Sequence, residues 1–140
     1  MDKARLFSSS ETANADAWVP SSYTQSVTDE YVQIDFLTQY HVVAIVTRGS
    51  PVLQKFCHSI TVQHSNDLTT WSQMLDGSGV ERVYSANFDD THPVTVELQP
   101  TITAQYLRVF GRSDDQITLQ LEVIGKPTSG LNNSRFFPLY

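Results

Sequence analysis

An all-β sandwich is the fold class this sequence predicts, and three observations predict it. Between Asp29 and Gly125 apolar and polar residues alternate in short runs, the mark of strands with one buried and one solvated face. Turn-forming residues punctuate those runs at Gly49-Ser-Pro51, Asn66-Asp67, Asp76-Gly-Ser-Gly79, Asp89-Asp90, Pro100 and Gly111. No segment sustains an apolar period of about 3.6 residues, so helices are not expected. Domains of this kind display their function in loops at one end of the sandwich rather than in a catalytic cleft.

The elements follow in chain order. Residues 1–28 are rich in Ser, Thr, Ala and Asn and read as a short first strand with long loops, carrying the aromatic pair Trp18 and Tyr23. Val32, Ile34 and Phe36 share the inner face of the first clear strand, with Tyr31, Gln33 and Asp35 on the outer face. Val43 and Ile45 continue the core. Ile60, Val62 and His64 then alternate against Thr61 and Gln63, and Val94, Val96 and Leu98 against Thr95 and Glu97. Ile117, Leu119, Leu121 and Val123 give the cleanest pattern. Residues 1–126 form the expected domain. Residues 127–140 read as a linker-like tail whose apolar end, Phe136-Phe-Pro-Leu-Tyr140, would pack on the body or on another protomer.

Composition narrows the function. A chain of 140 residues with 40% apolar and 17% charged residues is one folded domain with a proper core. A net charge of −6, with 9 Lys and Arg in all, argues against nucleic acid and against purely electrostatic attachment to anionic lipid. No apolar run of about eighteen residues is present, so no membrane-spanning helix is expected, and Met1-Asp-Lys3 shows no secretory leader. Cys57 is alone, so no internal disulfide forms. Asn132-Asn-Ser134 fits the N-glycosylation pattern and would suit a secreted protein.

One series of segments goes further. Ser8-Ser-Ser10, Ala17-Trp18, Tyr31-Val-Gln-Ile-Asp-Phe36, Val46-Thr-Arg-Gly49, His64-Ser-Asn-Asp-Leu-Thr-Thr-Trp71, Ala86-Asn-Phe-Asp89, Gln105-Tyr-Leu-Arg-Val109 and Leu121-Glu-Val-Ile-Gly125 occur in that order. The series resembles the discoidin, or coagulation factor 5/8 type C, domain over nearly the whole chain to Gly125. The resemblance implies an eight-stranded antiparallel jelly-roll β-sandwich of the galactose-binding-like class. It also implies a non-catalytic module of cell adhesion, secreted or at the cell surface. Such a module binds a glycan, a phospholipid head group or a protein through loops at one end, without a cofactor.

Three departures stand beside the resemblance. Lys126 occupies the position where animal members carry the second Cys of a terminal disulfide, and the clip's stabilisation of about 3–4 kcal/mol is absent with it. The first loop is short, Glu11-Thr-Ala-Asn-Ala-Asp16. Leu68 stands where the turn before Trp71 usually has Gly, so that turn must differ or carry strain.

Candidate ligand residues lie in four segments, 11–25, 48–56, 86–92 and 111–116. Tyr23 is open to a contact role, while Trp18 reads as packing at the base of the first loop. Arg48, Val52, Leu53, Lys55 and Phe56 form an apolar tip flanked by cations, suited to interfacial insertion, or else fold back on the core. Asn87, Asp89 and His92, with Asp90, offer paired hydrogen bonds to sugar hydroxyls, or build the turn. Arg112, near Asp114 and Asp115, reaches a ligand or ends in a solvated turn. Trp71 is expected in the core, and Arg108 in an ion pair on the wet face.

No zinc spacing joins His41, His58, His64 and His92, and no catalytic motif is present. No metal site is expected, a structural calcium at Asp16 and Glu122 being the lesser alternative that the resemblance offers. Glycan ranks first among ligands, because the first loop is short and the domain acidic; phospholipid ranks second and a protein partner third. A weak single site would call for oligomerisation or linkage to other domains. The competing reading is an interaction domain of a larger protein, working through its strand face or tail.

Overall fold

The computed structural model describes residues 5–8, 12–13, 17–19, 30–114, 116–129 and 135–139, with the backbone course alone for 5–8, 12–13, 18 and 135–139. Within them every regular element is a strand: β1 Arg5–Ser8, β2 Thr12–Ala13, β3 Trp18–Val19, β4 Tyr31–Arg48, β5 Ser59–Ser65, β6 Ser72–Gln73, β7 Tyr84–Ser85, β8 Val94–Arg112, β9 Gln120–Pro127 and β10 Arg135–Leu139. All pairings are antiparallel. Eight of the ten segments share one hydrogen-bonded sheet, while β2 and β3 pair separately.

The sheet becomes a sandwich because its two long strands serve both layers. Residues 31–35 of β4 lie between β1 and residues 106–110 of β8, whereas residues 40–47 lie between β9 and residues 94–104. The register breaks between Asp35 and Tyr40, where Leu37 takes φ +68°. Asp35 holds this corner: its Oδ1 accepts the Leu37 N–H at 2.8 Å and the Gln105 Nε2 amide at 3.2 Å. Strands that switch layers through such bends close a sandwich without leaving a long free edge.

The core follows the alternation, with Val94 half-buried at the start of its strand and one instructive exception away from the strand ends. Val32, Ile34, Phe36, Ile60, Val62, Val96, Leu98, Leu107, Val109, Ile117, Leu119, Leu121 and Val123 are all buried. Val43, expected inside, is 37% exposed instead. Against β9, a bulge between Val42 and Ala44 inserts one residue, so Val43 turns outward and Ala44 and Ile45 are buried in succession. His64, at the open end of its row, is half-buried, and that burial lowers its pKa.

Two further expectations are corrected on the outer face. Trp71 is not a core residue: it is half-buried, and the Arg108 guanidinium lies 3.8 Å above its ring. Among the described residues Arg108 has no ion pair. It stacks between Trp71 and Tyr31, 4.3 Å from the latter, and donates through Nε to Gln33 Oε1 at 2.9 Å. β9 runs to Pro127, the Thr128 N–H donates to the Gln39 carbonyl, and the apolar end returns as β10 along β9.

Leu68 takes φ +67°, so the turn keeps the left-handed geometry that Gly usually supplies and a Leu adopts it. Ser65 Oγ accepts the Leu68 N–H, while Asp67 Oδ1 accepts the N–H groups of Thr69 and Thr70 at 2.9 and 2.8 Å. Those donors, Thr70 first, lower the Asp67 carboxyl to about 2. A carboxylate with a depressed folded pKa contributes stability above its unfolded value that is lost as pH falls through the folded one. Asp67→Asn should thus cost stability at about pH 5 and progressively less toward about pH 2. Urea midpoints of both proteins at the two pH values check this, and a pH-independent difference would contradict it.

Candidate functional site

Three of the four candidate segments meet at one end of the sandwich, where β4 leaves and β5, β8 and β9 begin or end. The 48–56 segment is a tight reversal. Ser50 N–H donates to the Lys55 carbonyl at 2.8 Å and Gln54 N–H to the Ser50 carbonyl at 2.8 Å. Gly49 permits this closure, since a Cβ there would lie 2.4 Å from the Lys55 carbonyl oxygen and 2.6 Å from Phe56 Cβ. Val52 at the tip is 72% exposed, whereas Leu53 is half-buried with its N–H bound to Ser50 Oγ.

The 86–92 segment is pinned to this reversal through Asn87. That residue is 3% exposed, and its Nδ2 donates to the carbonyls of Thr47 at 2.9 Å and His92 at 3.1 Å. Its own N–H, and that of Ala86, donate to the carbonyls of Cys57 and His58. Asn87 builds the loop end from inside. The segment after β8 closes the third side: Ser113 Oγ donates to the Phe56 carbonyl at 3.0 Å, Lys55 Nζ to Gln116 Oε1 at 3.4 Å, and Gln120 Nε2 to the Gly49 carbonyl at 3.0 Å.

What the pinned loop presents to solvent is an aromatic step with an acceptor beside it. Phe88, which the sequence reading passed over, is 69% exposed and stacks on His92 with ring centroids 5.7 Å apart. Its signal was an aromatic set between polar turn residues in Asn87-Phe-Asp89. Asp89 fixes the step: Oδ1 accepts the His92 N–H at 2.8 Å and Oδ2 meets His92 Nδ1 at 2.5 Å. The His92 N–H is the main cause of the lowered Asp89 pKa, so the acceptor stays charged.

Two shallow grooves flank this loop. One, of about 210 Å³, is lined by Gln54, Lys55, Phe56, His58, Ser113 and Asp114. The other, of about 200 Å³, runs over the outer face of β4 and β9 between Val46, Arg48, Pro93, Gln120, Leu121 and Glu122. Arg112 leans on Glu81 at 3.8 Å. Tyr23 and Asp16 lie outside the described residues, and Glu122 belongs to the second groove. Among the described residues no group of three or more His, Cys, Asp or Glu is placed to hold a metal.

Reactive groups are present but not presented. Ser59 Oγ is 2.9 Å from His58 Nδ1, and His58 Nε2 is 3.6 Å from Asp114 Oδ1. The serine, however, is buried and the aspartate side chain wholly exposed. Cys57 is enclosed, and burial raises its thiol to about 12.

Asn87→Ala should lower stability by about 1–3 kcal/mol, since the buried Thr47 carbonyl and the part-buried His92 carbonyl lose their donor. A urea midpoint shift measures this, and an unchanged midpoint would show that the three segments hold together without it.

Comparison with known proteins agrees with this geometry. The F5/8 type C domain profile matches residues 3–123. Hemocytin of Bombyx mori is 27% identical over 123 residues, 87% of this chain and 4% of hemocytin. Lactadherin of Rattus norvegicus is 30% identical over 115 residues, 78% of this chain and 25% of lactadherin. The chain thus spans a quarter or less of these relatives. Recombinant discoidin II of Dictyostelium discoideum superposes with a TM-score of 0.73 at 19% identity, covering 93% of this chain and 58% of that one. The family 32 CBM from C. perfringens NanJ, solved in complex with galactose, superposes at 0.62 with 11% identity, covering 86% and 92%. These structural likenesses show the jelly-roll sandwich fold.

Proposed function

From the premise that this chain belongs to the F5/8 type C domain family, we propose that it is a non-catalytic recognition module of cell adhesion that binds a glycan at its loop end. It works outside the cell, in a secreted or cell-surface protein, and gains avidity from linkage or oligomerisation. The observation that carries this reading is the Phe88–His92 step with Asp89 at its base. A sugar ring has an apolar C–H face that lies on an exposed aromatic, and its hydroxyls donate to a fixed carboxylate. The galactose complex of the structurally similar C. perfringens domain supports the choice of ligand class.

Phe88→Ala should weaken binding to the preferred sugar about three- to tenfold while leaving the melting temperature near its original value. Isothermal titration with a hit from a glycan array measures it. A blank array, run with and without EDTA, would remove the glycan reading.

A second reading is supported by Val52 and Phe88, the most exposed large apolar residues at the loop end, with Arg48 and Lys55 behind them. Such a tip enters the head-group region of an anionic bilayer. On this reading Val52→Ser with Leu53→Ser abolishes sedimentation with phosphatidylserine vesicles and spares folding. Unchanged sedimentation would exclude the 48–56 tip from any membrane role.

A further inference from the structure

We propose that the groove over β4 and β9 receives the carboxylate of an acidic sugar, so that the preferred ligand is an acidic glycan. This rests on the loop-end reading and specifies its ligand. The groove is built across two cross-strand pairs, Arg48 with Gln120 and Val46 with Glu122, with Pro93 as its apolar wall. Arg48 Nε is buried and has no hydrogen-bond acceptor among the described residues. A guanidinium is always charged and donates only, so a buried N–H without an acceptor is costly until an anion meets it. A carboxylate meets it best, through two parallel hydrogen bonds. Gln120 cannot move away to relieve the site, since its Nε2 is committed to the Gly49 carbonyl.

The far end of the groove selects against a simple anion. Glu122 lies two residues along β9 from Gln120, about 7 Å by strand rise. The groove is therefore bipolar, with donors at Arg48 and an acceptor at Glu122. A halide or sulfate offers Glu122 no hydrogen to accept. A sugar acid brings both: its carboxylate faces Arg48, and hydroxyls across the ring donate to Glu122. Pro93 directly follows the 86–92 loop, whose Asn87 bonds the Thr47 carbonyl beside Arg48. An acidic unit in the groove thus lies next to the loop that carries Phe88.

The test uses the full chain and two oligosaccharides identical except that one terminal sugar carries a carboxylate and the other the corresponding reduced alcohol. The acidic probe should bind about tenfold tighter, the effect of one charge-assisted contact. Arg48→Gln should bring the two affinities together, and Arg48→Lys, which keeps the charge but loses the fork, should do most of the same. Glu122→Gln should weaken both probes and retain the preference for the acid. Thermal melts monitor folding throughout. Equal affinities in the parent protein, or a preference that survives Arg48→Gln, would overturn the acidic-sugar assignment while the loop-end reading stands. Binding of neither probe would overturn both.

Discussion

The ladder between β4 and β8 is the constraint on which the rest of the molecule depends. Each of these strands is too long for one layer, and each is shared between two. The corner at Asp35 and Leu37 and the bulge at Val43 decide where the shared ladder turns. From that turn follow the two inner faces, the position of β9 and β10 on one side, and that of β5 on the other. Without the bend the same residues would form a flat sheet with one face unburied.

The loop end inherits its rigidity from this frame. Termini of β4, β5, β8 and β9 arrive there together, and their connecting segments are tied by side-chain amides donating to main-chain carbonyls, Asn87 to Thr47 and His92, Gln120 to Gly49. Such bonds satisfy buried backbone acceptors that no ladder reaches. The result is a surface that is irregular in backbone and still fixed in shape, which lets a shallow site recognise a ligand without first ordering itself. The exposed step of Phe88 and His92 stands on that surface, between the two grooves.

On the opposite, outer face the stack of Trp71, Arg108 and Tyr31 does a different job. It covers strand surface with a charged group whose charge is directed at aromatic faces rather than at a carboxylate. The family's usual Gly is replaced by Leu68 near this stack, and the left-handed backbone persists because Ser65 and Asp67 together hold the turn.

Strand identity and the inner rows were legible in the residues because a period of two is a local property, as Val32-Ile34-Phe36 and Ile117-Leu119-Leu121-Val123 demonstrate. The segments that carry the loop end were legible too, through their turn residues and the order of family-like phrases. Val43 was misplaced because a bulge is set by pairing partners on β8 and β9, which no local pattern contains. Trp71 and Arg108 were misassigned for a related reason: neither stack partner is near the other in sequence. The roles within the loop end divide in the same way. Asn87, Phe88 and Asp89 are consecutive, yet one is buried as a pin, one is exposed, and one is a fixed acceptor. Sequence by itself determined the class of fold and the stretches of chain that are free of it. Only tertiary structure decided which side chain faces solvent and which donor is left unmet, because both depend on atoms brought together from distant strands.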